Sequence, residues 1–178
     1  EEIQVAAMQI LGRHLEVTRA FYSEPLKNEA TLKSNPGYME GVESAPDEVN
    51  FSAFEPEIIE RFLSGETLVF NDTVEGQVLK ENQEEVAGAM QVRAAISVPV
   101  IRNGILVAAI RIHQRSPRIW TAAEVSLVEE VSRHTWEAVE RARAENALRE
   151  SEQKFRDLVE ASALAIWETD AGGVVVTD

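Results

Sequence analysis

Ile3, Ala6, Ala7, Ile10, Leu11 and His14 recur at helical spacing, which predicts an amphipathic helix over about the first 15 residues with these positions on its buried face. On that face His14 reads as a hydrogen-bonded core histidine. Val17 to Ser23 and Ala30 to Ser34 are β-rich runs joined by a turn around Lys27 and Asn28, a hairpin closed by Asn35-Pro36-Gly37. Residues 38 to 54 have no clear period and read as a long connection. Pro56 suits the first turn of a helix through Ile58, Ile59, Phe62 and Leu63, and Gly65 is placed to end it in the left-handed conformation. Thr67 to Asn71 follows as a strand, and Asn82 with Glu85 caps a further helix through Val86, Ala87 and Met90.

Arg93 to Ile101 and Ile105 to Gln114 flank Asn103-Gly104, a pair that tolerates positive φ and so makes a tight type I′ turn between antiparallel strands. The second strand is apolar at both parities from Ile105 to Ile110, which requires cover on both faces of its sheet. Thr121 and Glu124 form a capping box before a run without Gly or Pro until Gly172, so one helix can extend from Ala122 to about Ala161. Val128, Val131, Thr135 and Ala138 fit a weak heptad along it, and Leu148, Phe155 and Leu158 fit another, out of phase with the first. This seam predicts a parallel homodimer through the first helix and the long one. Ala165 to Thr169 and Val174 to Thr177, around Asp170-Ala171-Gly172-Gly173, read as the opening hairpin of a second domain.

Composition narrows the picture. With 178 residues, 44% of them hydrophobic and 27% charged, the chain can bury one real core, and no apolar run reaches membrane-spanning length. Seventeen basic against 31 acidic residues give a net charge of −14, which disfavours nucleic acid and anionic lipid as partners. Zero cysteines exclude a disulfide framework, a thiolate metal site and a cysteine nucleophile. The charge is uneven. Residues 40 to 91 hold 13 acids against Arg61 and Lys80, whereas residues 92 to 120 hold five arginines and no acid. The start inside a helix, without a signal segment, points to a piece of a longer, cytoplasmic protein.

The run Ser97-Val98-Pro99-Val100-Ile101-Arg102-Asn103-Gly104-Ile105-Leu106-Val107-Ala108-Ala109-Ile110, followed by Arg118-Ile119-Trp120-Thr121 and a long helix, resembles the second half of a GAF domain. Leu148-Arg149-Glu150-Ser151-Glu152-Gln153-Lys154-Phe155-Arg156, with Ile166-Trp167-Glu168-Thr169-Asp170 and Gly173-Val174-Val175, resembles the start of a PAS domain behind a linker helix, as in bacterial sensor histidine kinases. The resemblance implies an α/β (α+β) fold, with an antiparallel sheet of five or six strands flanked by helices and a long C-terminal linker helix. It implies a GAF-like sensory domain over residues 1–140, a signalling helix over 141–161 and a truncated PAS start over 162–178. It also implies a module that binds a small ligand, or relays a dimer rearrangement, to a downstream kinase acting on a response regulator. The alternatives are a purely structural relay module and the regulatory domain of a cyclic-nucleotide or cyclic-dinucleotide enzyme.

No catalytic constellation is present: His14, His113 and His134 are far apart, and no Gly-rich phosphate loop ends in Lys-Ser or Lys-Thr. This segment is therefore expected to lack enzymatic activity of its own. His134 lacks the downstream pattern of a phosphorylated histidine box and reads as a packing or surface residue. Arg111 and His113 alternate with Ile110 and Ile112, so two polar side chains share one face of a strand that otherwise reads as buried. That face is a candidate floor for an anionic or hydrogen-bonding ligand, with Tyr22 or Ser97 contributing from neighbouring strands. The competing reading, given more weight, pairs Arg111 with an acid from the 40 to 91 segment. Which ligand, if any, is left open, but the absence of cysteine counts against a covalently attached bilin.

Overall fold

The computed structural model describes residues 2–26, 30–35, 37–41, 47–76, 78 and 91–166. The chain divides into two compact units, Glu1–Ala138 and Val139–Asp178. In chain order the elements are α1 (Glu2–Leu15), β1 (Arg19–Pro25), β2 (Thr31–Ser34), β3 (Tyr38–Met39), β4 (Glu48–Asn50), a 3-10 turn (Phe51–Ala53), α2 (Pro56–Leu63), β5 (Leu68–Phe70), β6 (Ala94–Arg102), β7 (Ile105–Gln114) and α3 (Ala122–Ile166). The strands form one sheet in the order β4-β2-β1-β7-β6-β5, with β3 also paired to β1. Every pairing is antiparallel. The connection predicted over residues 38 to 54 thus contains two short strands, whose two and three residues are too few to show a period of two. The helix predicted through Val86 lies outside the described residues.

Local chemistry sets several boundaries. Asn103 and Gly104 have φ of 53° and 78°, the positive values that the type I′ turn demands between β6 and β7. Gly65, at φ 99°, closes α2 while its amide donates to the Phe62 carbonyl. At the start of α3 the Glu124 amide donates to Thr121 Oγ1 at 3.2 Å, and the Thr121 amide donates back to Glu124 Oε2 at 2.7 Å. Arg118 ties this helix start to the end of α1, donating to the Leu15 carbonyl at 2.8 Å and pairing with Glu124 at 2.5 Å.

The core lies on both faces of the sheet, as the double-sided apolar pattern of β7 requires. On one face Ala108, Ile110 and Ile112 pack with Met8, Leu11 and Leu15 of α1, Trp120 and Val128. On the other, Leu106 and Ala109 pack with Leu32, Ile58, Phe62, Leu68 and Val78. Ile96, Ile110 and Ile112 are fully buried, and each stabilises the fold by roughly 2 kcal/mol. A bulge lies in the β6–β7 ladder: Val100 pairs with Ala108 but Ile101 with Leu106, so Val107 is the extra residue and parity reverses across it.

The predicted inner face of α1 is corrected. Gln4, Met8, Leu11, Gly12 and Leu15 are buried, while Ile3, Ile10 and His14 are exposed, Ile10 at 69%. The rotation has a steric cause: Tyr38 of β3 packs directly over Gly12, where any side chain would collide with its ring. The helix turns its side-chain-free position to the sheet, and Ile3 and Ile10 are carried to the outside.

The first predicted heptad stripe is corrected in part as well. Val128 belongs to the domain's own core, Thr135 is buried, and Val131 and Ala138 are half-buried, so Val128 and Thr135 do not form a free outer seam. Among the described residues, the large apolar side chains exposed on α3 are Leu148, Phe155, Leu158 and Val159. Ala165 and Ile166, predicted to open a strand, continue the helix, and the rest of that predicted hairpin lies outside the described residues. Among the described residues no helix is long and apolar enough to cross a membrane.

Candidate functional site

Register decides which side chains meet Arg111. It pairs with Phe21 of β1 on one side and with Ser97 of β6 on the other, and His113 pairs with Arg19 and Ala95 in the same way. Arg19, Phe21 and Ser23 therefore share a face with Arg111 and His113, together with Ser97. Tyr22 pairs with Ile110 and belongs to the opposite core, so the expectation that it lines this face is corrected. The reason is strand parity: one residue along β1 is the other side of the sheet. The polar parity Arg19-x-Phe21-x-Ser23, matching Arg111-x-His113, was the signal available for these residues.

Of this face Ala95, Ser97, Arg111 and His113 line the floor of a cleft of about 1410 Å³. Its far wall is apolar and aromatic, formed by Phe51, Phe54, Ile58 and Phe62, and Phe70 of β5 extends the floor beside Ala95. Arg111, His113 and Ser97, predicted from sequence, come together here.

Arg111 is 6% exposed. Its Nε donates to Ser23 Oγ at 3.2 Å, and its Nη2 donates to Ser34 Oγ. Ser23 and Ser34 are themselves cross-strand partners, so β1 and β2 present both hydroxyls to one guanidinium. Its carbon also lies 5.8 Å from the Phe21 ring centre. Among the described residues its partners are these neutral groups and no carboxylate. Three of the described acids of the 40 to 91 segment have other partners: Asp72 pairs with Arg93 at 2.5 Å, Glu66 pairs with Arg61, and Glu40 accepts from the Tyr38 hydroxyl. Burial without a counter-ion pushes the Arg111 guanidinium down from its ordinary value to about 10.

His113 is equally buried, edge-on to Phe21 with ring centres 5.8 Å apart. Burial first, and then the positive charges of Arg111 and Arg19, hold its pKa well below 6.5. Its Nδ1 has no hydrogen-bond partner among the described residues. By contrast His134 is an exposed residue of α3, flanked by Glu130 and Glu137 at 3.7 and 3.8 Å, and His14 is exposed on α1. No group of metal-ligating side chains occurs among the described residues. The site is thus an apolar cleft whose polar end is cationic and rich in hydroxyls, suited to binding an anion-bearing molecule.

The GAF domain family matches this chain over residues 1–139. The chain belongs to the GAF domain family. No curated protein matches it. The GAF fold is shared with solved photoreceptor structures at low identity. The chain is similar to the cyanobacteriochrome receptor PixJ, with a TM-score of 0.68, 21% identity and coverage of 79% of this chain and 95% of that one. It is similar to the blue-light-absorbing form of the Thermosynechococcus elongatus PixJ GAF domain, with a TM-score of 0.66, 20% identity and coverage of 89% and 92%. A GAF domain of Synechocystis sp. PCC6803 in its photoproduct state gives a TM-score of 0.66 at 18% identity, covering 83% and 97%.

Proposed function

We propose that this GAF domain is the sensory module of a multidomain signalling protein and that its cleft holds, without a covalent bond, a small molecule with an apolar body and an anionic group. The observation that carries the reading is the buried Arg111 guanidinium, whose partners among the described residues are two neutral hydroxyls. Keeping an arginine buried in that way costs stability, and an anion from solution would supply the missing counter-charge. The fold neighbours are photoreceptors, but this chain has no cysteine, so a thioether-linked tetrapyrrole has no attachment point here.

The parent protein on this reading is a cytoplasmic sensor histidine kinase, with a PAS domain following α3 and a response regulator as its partner. The module itself performs no catalysis. It acts as a homodimer, and the exposed Leu148, Phe155 and Leu158 of α3 favour that helix as the dimer and relay element over the partly internal Val128 to Ala138 stripe. The test is a thermal-shift screen of amphipathic carboxylates, sulfonates, phosphates and free tetrapyrroles against the wild type and Arg111→Met. A ligand at 100 times its Kd stabilises by about 2.7 kcal/mol, and the shift is expected in the wild type alone. Equal shifts in both proteins, or none from any anionic class, refute the reading and leave a structural relay.

A further inference from the structure

His113 stands beside Arg111 on β7, yet Arg111 alone already offers an anion its charge. Two features set the histidine apart from a packing residue. Its ring is 6% exposed, and its Nδ1 has no hydrogen-bond partner among the described residues, although a buried polar nitrogen normally has one. It also opens on the same cleft floor as the guanidinium, with only Ala95 opposite it on β6.

We propose that an anion entering the cleft beside Arg111 is bound together with one proton, which His113 takes from solvent onto its buried ring. The inference rests on the reading of the cleft as an anion site and adds what that reading leaves out: the charge state in which the site holds its ligand.

The coupling is electrostatic. Among the described residues, the charged groups around the imidazole are Arg111 on β7 and the rim residue Arg115 just after it. On β1 the neighbour is Arg19, and just before β6 it is Arg93, which is neutralised by Asp72. Across the cleft, on and before α2, are Glu55, Glu57 and Arg61, the last paired with Glu66. Near neighbours are thus cationic, and in the free protein a second positive charge beside Arg111 is disfavoured. An anion on Arg111 reverses that balance. It cancels the repelling charge and gives the imidazolium a partner, so the ring gains a proton in the step that fills the site. Proton and ligand binding are then linked, with a definite sign. Between the low pKa of the free ring and the higher one of the complex, each pH unit upward weakens binding by up to about tenfold. A carboxylate, a sulfonate and a phosphate would all produce this linkage.

The probe is 1-anilinonaphthalene-8-sulfonate, whose aromatic body suits the phenylalanine wall and whose sulfonate stays ionised throughout, so any pH dependence belongs to the protein. Fluorescence titrations from pH 5 to 8 and calorimetry at pH 7 in bis-Tris and Tris buffers, neither of which is an anion, measure the affinity and the protons exchanged. The expected results are a single site, uptake approaching one proton, and a Kd that rises with pH. In His113→Gln, whatever its affinity, the uptake and the slope are lost. Proton-detected NMR of the wild-type histidine rings gives the same answer without a variant, since the buried ring changes from neutral to charged on binding. Saturable 1:1 binding with no proton exchange and a flat Kd overturns the proton linkage and leaves the anion site standing. Failure of the sulfonate to bind, with no other anion binding either, overturns both.

Discussion

Arg111→Met separates a guanidinium kept for binding from one kept for folding. Methionine replaces the apolar stem and removes the charge. A guanidinium pKa pushed down to about 10 means that burying the cation costs about 3 kcal/mol, at about 1.4 kcal/mol per pH unit. Against this stand the bonds to Ser23 and Ser34, each worth roughly 1.5–3 kcal/mol when the donor is charged. The bonds equal or exceed that cost by up to about 3 kcal/mol, and the added apolar burial of methionine offsets part of the excess, so Arg111→Met is expected to fold with a loss of no more than about 2 kcal/mol. An arginine held in a buried ion pair behaves differently, since removing it strands a carboxylate and costs about 3–5 kcal/mol. For a domain of this size 1 kcal/mol moves Tm by about 3–4 °C, so urea and thermal unfolding at pH 7.5 separate the cases. A loss of more than about 10 °C would show that Arg111 pairs with an acid, refuting the reasoning from its neutral partners.

Three further outcomes are expected. Because folded His113 stays neutral well below pH 6.5 while the unfolded imidazole protonates there, stability present above pH 6.5 is lost on acidification. Between pH 7.5 and 5.5 the wild type should lose about 1 kcal/mol more than His113→Gln in urea titrations, and parallel losses would count against a buried neutral ring. Gly12→Ala should destabilise despite a gain of about 1 kcal/mol in helix propensity, because the new Cβ overlaps Cγ and Cδ1 of Tyr38 and comes to 2.8 Å of its Cβ. A rise in Tm would mean that Tyr38 moves aside freely. In the proposed parent kinase, seven residues inserted after Arg143 preserve helical phase and should retain regulation, whereas two residues rotate the downstream domain by roughly 200° and should lock or invert autophosphorylation. Equal behaviour of the two would reduce α3 to a tether.

The elements legible in the sequence are those whose signal is local. Asn103-Gly104 dictates its turn because few other residue pairs accept two successive positive φ values, and that turn aligns Ser97 with Arg111 across β6 and β7. Thr121 with Glu124 starts α3, and Pro56 with Gly65 brackets α2, through backbone groups only a few residues apart. The apolar run of β7 likewise demands a layer on each side without saying which elements supply it. What the tertiary structure decided depends on partners remote in the chain. The face α1 buries is chosen by Tyr38 meeting Gly12, and helical periodicity alone allowed the stripe through Ile3 and Ile10 equally well. Whether Tyr22 or Phe21 shares the face of Arg111 depends on the β1–β7 register, set between strands some ninety residues apart, and a shift of one residue would exchange them. The serine partners of Arg111 come from β1 and β2 by the same route, so the sequence could place a buried guanidinium on β7 while only the assembled sheet determined what it touches.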